Sequence, residues 1–61
     1  MATQDENQYY ANSAADAIYI KREVRACGFY ARLDVRDLRR VTYDQAAEGI
    51  VTSIVSSLGG A

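Results

Sequence analysis

The sequence predicts a mainly α fold: two amphipathic helices, at about residues 13–27 and 43–58, joined by an arginine-rich and partly extended connector. Three observations predict it. Proline is absent and glycine occurs only at 28, 49, 59 and 60, so long elements run with little punctuation. Apolar residues recur at spacings of three and four in both segments. All the basic residues, Lys21, Arg22, Arg25, Arg32, Arg36, Arg39 and Arg40, fall in the middle third of the chain.

Residues 1–8 are polar and hold no aliphatic beyond the first two positions, which predicts a flexible N-terminal tail. Tyr9 and Tyr10 then open a single small domain, residues 9–61. In the first helix Ser13 can act as N-cap, and Asp16 suits the positive end of the helix dipole. Tyr10, Ala14, Ala17, Ile20, Val24 and Cys27 share one side, and Gly28 provides a left-handed stop. A strand through Ile18–Val24 competes with this reading, but it would turn Arg22 inward between Ile20 and Val24.

The connector "FYARLDVRDLRRV" alternates. Ala31, Leu33 and Val35 point one way, while Tyr30, Arg32, Asp34 and Arg36 point the other. A turn or short helix is expected at Asp37–Arg40. Because a lone strand leaves its backbone groups unpaired, this segment also supports an alternative fold class. That class is α+β, with a short strand at 29–36 pairing with a second copy or with 17–25.

In the second helix Thr42 and Gln45 have capping-box spacing. Ala46, Ala47, Ile50, Val51, Ile54, Val55 and Leu58 form the apolar face, and Gly59 and Gly60 end it. Gly49, Ser53 and Ser56 make a stripe of small residues on another side, the kind of surface that admits a close neighbour.

A chain of 61 residues buries only about 60% of its unfolded surface, so such folds usually add a disulfide, a metal or a partner. The single cysteine, Cys27, forbids an internal disulfide, and with no histidine a zinc site is hard to assemble. Association remains. A free thiol, an acidic and polar start, and no apolar run near the roughly 18 residues that span a bilayer predict a soluble, intracellular, cytoplasmic protein with no membrane partner.

The chemistry excluded is as informative. Without histidine the usual general acid/base is missing, so no enzyme is expected. No glycine-rich turn precedes a helix with a lysine, and no cofactor is expected. Cys27 falls on the apolar seam and reads as a buried, inert thiol. Asp34 and Asp37, flanked by arginines, read as ionised partners of those arginines.

What remains is binding. The ends of the chain are acidic, −3 over residues 1–20 and −2 over 41–61, and the middle is +4. Arginine suits bidentate pairing with carboxylates, so Arg32, Arg36, Arg39 and Arg40 are the expected charged contacts. Tyr10, Tyr19 and Tyr30 are the expected aromatic anchors. Ile20, Val24, Ile50, Ile54 and Leu58 are the expected association core. The expected function is a non-catalytic protein-binding module, a small structural, adaptor or inhibitory subunit, and a viral accessory protein would fit that size and charge. Its partner would be another copy of itself or a larger acidic protein. The alternative is a small regulator that grips nucleic acid through 21–40, with Tyr19 and Tyr30 stacking on bases.

Overall fold

The structure, a computed structural model, describes residues 5–59. It is an α+β fold of order β1 (Glu6–Tyr10), α1 (Ala14–Ala26), β2 (Ala31–Leu33), β3 (Arg40–Asp44), a short 3-10 turn (Gln45–Ala47) and α2 (Glu48–Gly59). The three strands form one antiparallel sheet in the order β1-β3-β2. β1 and β2 therefore run parallel to each other with β3 between them, a split β-α-β unit closed by α1.

The sheet overturns the mainly α expectation, and three local readings change with it. The helix expected at 43–58 begins only at Glu48. Thr42 and Tyr43 lie in β3, and Asp44, not Thr42, caps the following turn by accepting the Ala46 N–H at 3.0 Å. The strand foreseen within 29–36 is real but shorter. It pairs with β3 of the same chain, not with 17–25, which are helical. The expected tail overlaps β1 at residues 6–8, which pair with β3. Residues 1–4, Gly60 and Ala61 lie outside the described residues.

The physical reason lies in β3. "RVTYD" alternates, with Val41 and Tyr43 inward and Arg40, Thr42 and Asp44 outward, a period that suits a strand. Val41 and Tyr43 are buried, and so is Ala31, which is registered against Tyr43.

α1 forms as its sequence requires. Ser13 is extended (φ −149°) and its side chain accepts the Asp16 N–H at 3.2 Å. At the other end Gly28 takes φ 92°, its N–H donates to the Arg25 carbonyl, and the Phe29 N–H donates to the Val24 carbonyl. That pair of bonds is the Schellman termination, which needs a left-handed residue where Gly28 stands. Phe29 then packs against the core.

The core lies between the helices and one sheet face: Ala11, Ala17, Ile20, Val24, Ala31, Val41, Tyr43, Ala47 and Val51. Ile20, Val24 and Val41 are the largest side chains fully withdrawn from water. Each contributes about 1.5–3 kcal/mol by burial. The helices cover only this face and leave the other face of the sheet open.

Candidate interaction surface

The open sheet face is a small grid. Antiparallel register sets Glu6 against Asp44, Gln8 against Thr42, and Tyr10 against Arg40. On the other side of β3, Arg32 opposes Thr42. The bonds from Asp44 N–H to the Tyr30 carbonyl and from Asp34 N–H to the Arg40 carbonyl complete the end rows. The rows are thus Glu6–Asp44–Tyr30, Gln8–Thr42–Arg32 and Tyr10–Arg40–Asp34. Thr42, flanked by long neighbours on both sides, is 3% exposed although it faces outward.

The loop between β2 and β3 sits beside the third row. Asp34 accepts the Arg36 N–H at 2.8 Å and Asp37 accepts the Arg39 N–H at 3.2 Å. The Asp37 and Arg40 N–H groups donate to the carbonyls of Asp34 and Asp37. The two aspartates therefore shape consecutive turns, because a short carboxylate can reach its own backbone two residues on. Only Asp34 also meets an arginine side chain, Arg40, at 3.7 Å. Among the described residues Asp37 forms no ion pair, against expectation.

The four candidate arginines separate. Arg32 and Arg40 lie on the sheet face and Arg36 at the loop. Arg39 reaches across to β1, where its Nη2 donates to the Tyr10 hydroxyl at 2.6 Å and its guanidinium sits 4.7 Å from the ring centroid. Arg39 Nη1 also approaches the Asn12 carbonyl at 3.5 Å, and its own carbonyl accepts the Ala11 N–H at 2.7 Å. The open face is consequently polarised, with Glu6 and Asp44 at one end and Arg39 and Arg40 at the other.

The tyrosines separate too. Tyr10 and Tyr30 stand at opposite ends of the grid, and Tyr19 is exposed on α1 in the other layer. Ile20 and Val24 cannot form an association core, since both are fully buried within the single chain. Ile50 and Ile54 are half-buried against that core, while Leu58 is exposed. Cys27 is exposed rather than buried. It caps α1, and the chain turns away there, so Phe29 takes the place on the seam that Cys27 was expected to fill.

One flank stands apart. α2 lies over β1: Asn7 Nδ2 donates to Glu48 Oε1 at 2.8 Å near its start, and Tyr9 and Ala11 share a shallow cleft with Val55 and Leu58 near its end. α2 therefore runs alongside β1. From Gly49 to Gly59 it carries no charged residue, and Val51 is its only buried side chain. Below it, β1 is an edge strand with one side unpaired among the described residues.

The direction of the unpaired groups follows from the ladder. Ala11 N–H donates to Arg39 O, and Gln45 N–H donates to Asp5 O. In an antiparallel pair the hydrogen-bonded positions alternate. Residues 5, 7, 9 and 11 therefore bond to β3, and the backbone groups of Glu6, Gln8 and Tyr10 point outward.

Glu6, Gln8, Thr42 and Asp44 were not legible as residues of the open sheet face, because β1 and β3 were not legible as strands. The alternation of "RVTYD" was the available signal for β3, masked by a capping-box match at Thr42. In "ENQYY" the inward residues are Asn7 and Tyr9, so a polar side chain stands where an apolar one would mark a strand.

No helix among the described residues is long and apolar enough to cross a membrane. No protein-family model matches the chain, and no curated protein or solved structure matches it either.

Proposed function

We propose that this chain is a non-catalytic protein-binding module, a small structural, adaptor or inhibitory subunit that works by associating with another protein. The single observation that carries the reading is the flank formed by β1 and α2. A strand edge unpaired among the described residues lies beside a helix that carries no charge after Glu48, whose Ile50, Ile54 and Val55 are only half-covered and whose Leu58 is exposed. Strand edges accept another strand through main-chain hydrogen bonds, and adjacent apolar surface adds to the affinity. Arg39, stacked on Tyr10 at one corner of the flank, supplies a cation there.

A second reading is nucleic-acid binding through residues 21–40. It is favoured by Tyr10, Arg32, Arg39 and Arg40 sharing the open side of the sheet. It is opposed by Glu6, Asp44 and Asp34, which stand among them and repel phosphate.

Light scattering coupled to size exclusion across a dilution series, with thermal melts on the same samples, tests the first reading. The expected result is a mass and a melting temperature that both rise with concentration. A strictly monomeric chain that melts cooperatively at a concentration-independent temperature overturns it. Binding to a random duplex or single strand that weakens steeply with salt would establish the second reading instead.

A further inference from the structure

We infer that the partner on the β1–α2 flank is a second copy of this chain, joined by antiparallel pairing of β1 with β1 about a two-fold axis at Gln8. The inference rests on the binding reading above and adds to it the partner, the register and the contacts.

Self-pairing is written into the order of residues along the edge. The outward-pointing positions are Glu6, Gln8 and Tyr10, symmetric about Gln8. In an antiparallel pair centred there, Gln8 exchanges both main-chain bonds with Gln8 of the second copy. Glu6 exchanges them with Tyr10 of the second copy, and Tyr10 with its Glu6. No backbone group that β1 points outward is left without a partner.

The side chains of the same residues agree with this register. Directly opposed residues in antiparallel strands project from the same face, so Glu6 would lie beside Tyr10 of the second copy and the Arg39 stacked on it. The row behind matches as well, since Asp44 flanks Glu6 and Arg40 flanks Tyr10. The acidic end of each open face thus meets the basic end of the other, and the two-fold axis repeats the match. Isologous interfaces require this self-complementarity. A parallel pairing about a two-fold axis along the strand would turn the second copy's open face to the opposite side of the sheet and lose this match.

The helical layer permits the same arrangement. An axis normal to the sheet keeps both helical layers on one side, and α2 is the helix over β1. The neighbouring α2 helices would run antiparallel, and after Glu48 neither carries a charge to bury. The stripe of Gly49, Ser53 and Ser56 is exposed on this helix. The opposite edge of the sheet offers much less. β2 is three residues long, and such short edge strands resist pairing. The product is one continuous six-stranded sheet built from two three-stranded ones.

Amide hydrogen exchange, followed residue by residue at low and high protein concentration, tests the register directly. The expected result is slow exchange of the Asn7 and Tyr9 amides at both concentrations, with Gln8 and Tyr10 becoming protected only at the higher one. Gln8→Pro removes an outward N–H without removing a bond to β3, so the variant should keep its circular dichroism and lose the dimer. Should it fail to fold, charge exchange decides. Glu6→Arg and Arg39→Glu should each abolish the dimer, and the double variant should restore it. A dimer that survives Gln8→Pro, or protection absent from Gln8 and Tyr10, overturns this interface while leaving a protein-binding module in place. A chain that is monomeric at every concentration overturns this interface, and one that in addition melts cooperatively at a concentration-independent temperature overturns the binding reading as well.

Discussion

The two helices of this fold invert the usual relation between composition and burial. α1 is dense in charge, with Asp16, Lys21, Arg22, Glu23 and Arg25 in thirteen residues, yet it places Ala17, Ile20 and Val24 in the interior with no exposed surface. α2 carries no charge after Glu48 and buries Val51 alone. The difference follows from position. α1 packs on β2 and β3 and has α2 along one side. α2 sits over the edge strand, with α1 on one side and no other element of the described residues on its far side. Burial is set by where the chain places a helix, and apolar surface in excess of what the fold covers marks the side on which something else can dock.

Substitution in the two helices sharpens or breaks this contrast most strongly at Ile20 and Ile54. Ile20→Ala empties a fully enclosed site and should cost about 3 kcal/mol. Ile54→Ala removes the same atoms from a half-covered one and should cost roughly 1 kcal/mol. Urea unfolding at a concentration low enough to keep the chain monomeric measures both. Equal costs would mean that α2 is as integral to the monomer as α1, and the reading of its outer side as a docking surface would fail.

The same asymmetry explains what the sequence disclosed. α1 was legible to within a residue because three local signals agreed against the competing strand through Ile18–Val24: the Ser13 cap, the three-and-four spacing through Val24, and Gly28 as terminator. α2 was legible in kind, but its start was set five residues early, since Thr42 and Gln45 mimic a capping box and Ala46 and Ala47 extend the apolar face backward. The sheet was the real loss. β2 is too short to announce itself beyond its alternation, and β1 reads as polar because Asn7 occupies an inward position and donates to Glu48. Pairing is a long-range property, and the partner of "ENQYY" lies thirty or more residues away at Arg40–Asp44. The four candidate arginines do not form one group, because the loop turns made by Asp34 and Asp37 decide that Arg39 reaches Tyr10 while Arg36 does not.

The helix starts give a smaller test. Ser13 accepts the Asp16 N–H at the head of α1, and Asp44 accepts the Ala46 N–H ahead of the turn that leads into α2. Ser13→Ala and Asp44→Ala should each cost about 1 kcal/mol. If α2 is the more loosely held helix, hydrogen exchange in Asp44→Ala should quicken in α2 alone. In Ser13→Ala it should quicken throughout the core, because α1 carries the core with it. Exchange that rises uniformly in both variants would show that the two helices unfold as one unit.

The smallest effect lies where β3 passes into α2. The Tyr43 hydroxyl is held above the ordinary tyrosine value of 10.0, first because it is buried and second because the Glu48 carboxylate lies near, while the Asn7 side chain pulls the other way. A raised value means that the folded state keeps its proton longer than the unfolded chain. The stabilising contribution is therefore complete below about pH 10 and is lost as pH rises through the folded-state value. Stability followed into that alkaline range should fall less in Tyr43→Phe than in the parent chain. Glu48→Gln should remove only part of the difference, because burial outranks the neighbouring charge. If Glu48→Gln removed all of it, the start of α2 rather than the sheet would govern Tyr43, and α2 would be more tightly seated on the core than its single buried residue implies.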